Sequence, residues 1–240
     1  IVRLLIAEGA DINHSDENGS TALFVVAAKG LEAAARVLID AGADINHSDE
    51  NGFTALLIAA QEGCEAAARA LIAAGADVNK AENRGQTPLF AASHRGHTEM
   101  MRLLIASGAD INHSDENGAT ALLFAAQEGC EAAARALIAA GAEIDKATRR
   151  GQTPLIAASK NGHAETVRLL IEAGADINHS DEIGATALLL AAAKGLEAAA
   201  RVLIDAGADV NKAENGGNTP LDVASRYNHD AVARMLRDAG

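Results

Sequence analysis

A chain of 240 residues that is 49% hydrophobic carries enough apolar side chains for a buried core, yet only 2% of it is aromatic and Trp is absent. Such a core is assembled from small aliphatic side chains, which suits helices stacked at close spacing. The formal charge of −13 opposes the counterion-release attraction of nucleic acids and anionic membrane surfaces, so neither is expected as a partner.

The chain opens on Ile1 to Ala10, an apolar helix with no initiator Met or signal-peptide pattern before it. It reads as the outer member of a helix pair whose inner member is missing. Its apolar face is expected to lie open unless chain or partner precedes it, and the chain is expected to be a piece of a longer array. From there a Gly-Ala pair followed by Asp or Glu recurs at Gly9, Gly42, Gly75, Gly108, Gly141, Gly174 and Gly207, always 33 residues apart. A fixed period of this length marks a repeat architecture. After a partial unit at 1–15, whole units span 16–48, 49–81, 82–114, 115–147, 148–180 and 181–213, and a terminal unit spans 214–240.

The unit 82–114 shows the local logic. Gly85 supplies a tight turn, Thr87 an N-cap, and Pro88 the first helical position, where no amide partner is needed. The first helix carries Leu89 and Ala92 and ends at Gly96, suited to a left-handed cap. The second carries Met100, Leu103, Leu104 and Ala106 at helical spacing, with Glu99 near its positive end, and stops at Gly108. The polar run from Ala109 to Gly118 then projects as a finger. In the last unit Asp222, Arg226, Asn228, Arg234, Arg237 and Asp238 make the outer surface polar, as the end of a stack requires.

Thr87-Pro88-Leu89, Thr153-Pro154-Leu155 and Thr219-Pro220-Leu221, each followed by small residues, then Gly or Asn, then His, resemble the ankyrin-repeat family over essentially the whole chain. The resemblance implies an all-α solenoid, a single domain over 1–240 of stacked helix-turn-helix units with projecting β-hairpin fingers. Two departures stand out. Four units read Thr-Ala-Leu, with Ala22, Ala55, Ala121 and Ala187 in place of Pro, and the family's His after that Leu is replaced, by Phe90 or Asp222 for example. Ala is a good helix former. The lost imidazole contact gives way to apolar packing.

A second period of 66 overlies the first: Ala59 to Ala76 returns unchanged as Ala125 to Ala142. Differences between the copies are scattered over core and surface alike, which fits tandem duplication followed by drift better than an engineered scaffold.

No catalytic constellation survives comparison with the repeat. His14, His47, His113 and His179 are copies of one finger position, expected to be exposed beside carboxylates and too widely spaced for a shared metal ion. His97, His163 and His229 match the family's structural histidine at the helix junction, where Cys64 and Cys130 stand in two units and are expected to be buried thiols. Two cysteines are also too few for a disulfide framework, which points to a reducing intracellular compartment, by default the cytoplasm. No stretch is long and apolar enough to insert in a membrane. No enzyme activity, cofactor or metal is expected.

The family resemblance places binding on finger tips and on the exposed side of the first helices. There the copies diverge at Phe53 and Ile183, apolar where neighbouring units carry small or polar residues; at Arg84; at Arg149-Arg150, basic within an acidic row holding Glu50 and Glu116; and at His94-Arg95 and Arg226-Tyr227 on the first-helix surface. Aromatic and arginine side chains tend to anchor interfaces. A protein-protein interaction module follows, its partner basic where it meets the acidic fingers. The alternatives are a spacer between flanking domains and an engineered binding scaffold.

Overall fold

Seven threonines at 33-residue intervals, Thr21 to Thr219, hold an extended backbone and each starts a short helix. The computed structural model describes residues 2–240. Its backbone falls into two compact units, residues 1–116 and 117–240. The first holds α1 (Val2–Ala7), α2 (Ala22–Ala28), α3 (Glu32–Asp40), α4 (Ala55–Glu62), α5 (Glu65–Ala73), α6 (Pro88–His94) and α7 (Thr98–Ala106). The second holds α8 (Ala121–Gln127), α9 (Glu131–Ala139), α10 (Pro154–Asn161), α11 (Ala164–Glu172), α12 (Ala187–Ala193), α13 (Glu197–Asp205), α14 (Pro220–Arg226) and α15 (Asp230–Ala239).

Each unit is two layers deep. The helices that follow the threonines pack on one another in chain order, α2 on α4 on α6 and α8 on α10 on α12 on α14, and form the inner layer. Their partners, α3, α5 and α7, and α9, α11, α13 and α15, form the outer layer. The expected all-α helix-pair stack is therefore the observed fold. Inner helices are nearly submerged: from Pro88 to Ser93 every residue of α6 is buried, as is every residue from Pro154 to Ser159 in α10. Close approach depends on alanine, with Ala59, Ala92, Ala125, Ala158 and Ala191 all fully buried. In α7 the buried set is Met100, Met101 and Leu104, whereas Ala106, in the last turn, is exposed.

Threonine capping explains why such short helices start where they do. Thr54, Thr87, Thr120, Thr153, Thr186 and Thr219 each accept a hydrogen bond from the backbone N–H three residues on, at 3.1 to 3.4 Å. Pro and Ala serve equally at the next position, because neither disturbs this bond. Thr21 is the exception. It makes no capping bond, and its buried hydroxyl has no partner. It borders an apolar hollow of about 420 Å³ walled by Val2, Leu5 and Ile6 from α1 and by Val25, Val26 and Leu38. No described residue of α1 is buried, and Leu4 and Leu5 are 64% and 54% exposed.

At the other end Asp222 completes a capping box. The Thr219 backbone N–H donates to Asp222 Oδ2 at 2.8 Å and the Thr219 hydroxyl does so at 2.7 Å, while the Asp222 N–H returns a bond to Thr219 Oγ1. The departure from the family's imidazole is thus a different cap chemistry. Some fingers keep isolated bridges, Ser15 with Thr21 and Ser180 with Thr186 among them, so these hairpins are turns closed by single pairs.

Two outcomes follow from the caps. Thr153→Ala is expected to lower stability by about 1 kcal/mol, the usual worth of an N-cap, and Thr21→Ala by clearly less; equal losses in urea denaturation would contradict this. The hydrogen bonds from Thr219, backbone first, hold the Asp222 carboxyl below its ordinary range. Its folded pKa lies under the unfolded value of about 3.9, so its contribution is present above that pH and is lost as pH falls through the folded pKa. Asp222→Asn should flatten that acid limb of the stability curve, and superimposable curves for the two proteins would exclude the effect.

Candidate functional site

The fingers are built by the side chain that opens each repeat. Asp49 Oδ1 accepts from the backbone N–H of Asn51 at 2.9 Å and of Phe53 at 2.8 Å. Glu82 Oε1 does the same for Arg84 and Gln86, both at 3.0 Å. Asp181 Oδ1 does so for Ile183 at 3.1 Å and Ala185 at 2.8 Å. Each turn then passes through a left-handed glycine. At Gly151, φ +74, an added Cβ would lie 2.9 Å from the Asp181 backbone, so the next finger leaves room for glycine alone.

Neighbouring tips are joined by backbone hydrogen bonds. In residues 1–116 the N–H groups of Glu50, Asn83 and Glu116 donate to the carbonyls of Asn18, Asn51 and Arg84, at 3.2, 2.9 and 3.0 Å. In residues 117–240 those of Arg149, Glu182 and Asn215 donate to Asn117, Arg150 and Ile183, at 2.8, 3.0 and 2.9 Å. The backbone of each tip is therefore occupied and its side chain is presented outward. Asn83 and Asn215 spend their carboxamides on bracing the previous finger, through Glu50 O and Glu182 O. The charged tips do not.

The candidate residues fall into separate places. Glu50, Arg84 and Glu116 stand exposed on successive tips of the first unit; Arg149, Arg150 and Ile183 do so in the second. Ile183 is 52% exposed, and Arg150 faces Glu182 across 3.9 Å of open solvent, a weak pairing. Phe53 lies instead at a finger base, half-buried, with its N–H held by Asp49. His94 and Arg95 lie exposed at the end of α6, and Tyr227 at the end of α14, its ring tilted against His229.

The finger histidines correct the expectation of exposure. His47, His113 and His179 are partly buried, and each Nε2 meets the carbonyl of a turn glycine in the preceding repeat, Gly19, Gly85 and Gly151, at 2.8, 2.9 and 3.1 Å. Only His14 is exposed. In the alternate fingers Lys80 and Lys212 reach the carbonyls of Asn46 and Asn178. The 66-residue alternation is thus two solutions to one bracing problem.

The junction histidines are structural: His97, His163 and His229 meet the carbonyls of Gln61, Gln127 and Ala193 at 3.1, 2.9 and 3.1 Å. Cys64 and Cys130 are half-buried free thiols, a correction to the expected full burial. Burial first, and then Glu62 or Glu128, pushes each thiol up, which disfavours the nucleophilic thiolate. Among the described residues no group of three His, Cys, Asp or Glu side chains could hold a metal ion, and no helix is long and apolar enough to cross a membrane.

Sequence reasoning missed a polar hollow of about 540 Å³ in the second unit, lined by Gln127, Glu128, Gln152, Lys160, Asn161 and His163. It opens at the ends of α8 and α10 beside the base of the Arg149-Arg150 finger. Its signal in the sequence is the divergence among the last residues of the inner helices, Gln127-Glu128 against Lys160-Asn161. Charge is also uneven: residues 1–116 carry a net −9 and residues 117–240 a net −4.

Paired short helices, threonine and glycine caps and hydrogen-bonded fingers define a repeat protein whose free side chains are concentrated on tips and inner-helix ends. The family model described as ankyrin repeats in three copies matches residues 1–82, 74–148, 107–181, 137–214 and 178–240, and the chain belongs to that family. The crystal structure of the human ASB11 ankyrin repeat domain is similar, with a TM-score of 0.84 and 28% identity over 92% of this chain and 98% of that one. No curated protein matches the sequence. Ankyrin repeats generally are protein-protein interaction modules.

A second ladder supports the fingers. Asn46 and Asn79 accept from the N–H of Asp77 and Asp110, at 2.8 and 2.7 Å, and donate to the carbonyls of Gly75 and Gly108. Asp145 occupies the same position and accepts from Asp176 N at 3.1 Å, but a carboxylate has no proton to donate. Asp145→Asn is expected to restore the missing bond and to raise stability by about 0.5 to 1.5 kcal/mol, measured by chemical denaturation; a lowered midpoint would refute the ladder's role.

Proposed function

We propose that this protein holds a protein partner along the finger tips, with a basic partner surface facing the acidic tips and Arg149-Arg150 acting as an anchor. The observation that carries this reading is the finger-to-finger hydrogen bonding: it fixes the tips before any partner arrives and leaves Glu50, Arg84, Glu116, Arg149, Arg150 and Ile183 outward. Preorganised side chains lose little freedom on binding. The acidic excess of residues 1–116 steers a basic surface over distances comparable to the Debye length.

The test is capture from native lysate by the wild-type protein, by Arg149→Glu with Arg150→Glu, and by Glu17→Lys with Asn18→Lys as control. A specifically retained protein is expected, held more weakly as salt rises. Its affinity should fall by more than about 1 kcal/mol in the arginine variant, the scale of an interface anchor, and by less in the control. Retention of no protein would favour a spacer with an empty binding face, and equal losses in both variants would remove the special role of the central finger.

A further inference from the structure

Three successive inner helices of the second unit end in a cation: Lys160 in the last turn of α10, Lys194 at the C-cap of α12, and Arg226 in the last turn of α14. All three are exposed, and α10, α12 and α14 pack side by side, so the cations form a stripe at the layer's rim. Lys160 and Lys194 make no hydrogen bond or ion pair with any described residue, whereas Arg226 bonds to Asn218 Oδ1 and its charge also acts on the Asp222 carboxylate. Helix-dipole stabilisation does not account for them. The inner helices α2 and α6 also end in cations, Lys29 and Arg95, but α4 and α8 carry Gln61-Glu62 and Gln127-Glu128 at corresponding positions and fold equally well, so the fold does not require the charge.

Beside the stripe lies the polar hollow. Within it Asn161 Nδ2 is spent on the carbonyls of Gln127 and Ala157, and Gln127 Nε2 on Glu128 Oε1. The Gln152 carboxamide makes no bond with a described residue and lines the same hollow as Lys160. Carboxamides with an open donor and acceptor suit peptide amides, and unpaired cations suit carboxylates.

Resting on the interaction-module reading, we infer that the inner-helix ends of residues 117–240 bind an extended acidic peptide segment, its carboxylates on Lys160, Lys194 and Arg226 and its main chain against Gln152. Helices packed about 10 Å apart and an extended chain rising about 3.3 Å per residue place matching carboxylates at every third position of the segment. A single-stranded nucleic acid fits worse. Tyr227 is the lone exposed aromatic side chain beside the stripe, where base stacking needs one platform per base, and the net charge of −13 repels a continuous polyanion.

The probe is a synthetic decapeptide with Glu at its first, fourth, seventh and tenth positions and Gly, Ser or Ala between, followed by fluorescence anisotropy at low salt. Comparators are an isomer with the four Glu contiguous and a thymidylate decamer. The spaced peptide is expected to bind at least threefold more tightly than the contiguous isomer. Binding should fall at least tenfold in Lys160→Glu with Lys194→Glu and persist in Lys160→Arg with Lys194→Arg. If the charge reversal lowers the thermal midpoint, Lys160→Gln with Lys194→Gln decides, with an expected loss of at least threefold. Absence of peptide binding, indifference to the substitutions, or tighter binding of the thymidylate would overturn the inference. Lysate capture still weakened by the Arg149 and Arg150 substitutions would then confine the failure to the stripe, whereas failure of both would reach the interaction reading itself.

Discussion

Each repeat of this protein completes the hydrogen bonds of the one before it, and the rest of the structure depends on that debt being met at a fixed register. Finger histidines reach back 28 residues to a glycine carbonyl, asparagines bridge 31 residues, tip amides are joined at 32, and junction histidines reach back 36. A buried or half-buried carbonyl without a partner costs roughly 1 to 3 kcal/mol, so an altered repeat length would forfeit several such bonds at once. The invariance of the 33-residue period is the sequence record of that constraint. Nearest-neighbour coupling of this kind is also why a helix of seven residues such as α6, far too short to persist alone, is stable in place.

The same bonding determines what is left over for function. Backbone groups of the fingers, the imidazoles of His47, His113 and His179 and the carboxamides of Asn83 and Asn215 are already engaged. The tip side chains Glu50, Arg84, Glu116, Arg149, Arg150 and Ile183, together with the cations at the inner-helix ends of the second unit, are not consumed in this way. What the packing scheme leaves unengaged differs along the chain, acidic at Glu50 and Glu116 and basic at Arg149 and Arg150, and these positions carry no bracing duty.

Much of the fold was legible because its signals are local. Thr87 followed by Pro88, Gly96 ending the first helix and Gly108 ending the second each act within a few residues of themselves, and all three behave as read. The errors concern groups whose partners lie one repeat away. His113 looks like an exposed polar side chain in its own finger, and only the approach of Gly85 makes it a brace. Cys64 and Cys130 copy a junction position, but a thiol is smaller than an imidazole and leaves the junction half-filled, although Cys64 Sγ still meets the equivalent carbonyl, Ala28 O, at 3.6 Å. Phe53, a diverged position in the sequence, lies at the finger base, where the local turn closed on Asp49 holds its N–H. The cationic stripe is less plain in the sequence because Lys160 and Arg226 stand two periods apart in register while Lys194, between them, is offset by one position.

The unchanged block from Ala59 to Ala76, returning as Ala125 to Ala142, has a bearing on how the chain reaches its native order. Two surfaces with the same side chains offer an incoming helix two equivalent docking partners, and local contact chemistry does not tell them apart. Discrimination falls to chain connectivity: looping out the intervening 66 residues costs on the order of 4 kcal/mol in closure entropy, beyond the bonds left unmade by the skipped repeats. Correct assembly is in that sense a matter of proximity along the chain, and between two molecules, where no tether applies, the duplicated surfaces lose that protection and favour exchange of repeats.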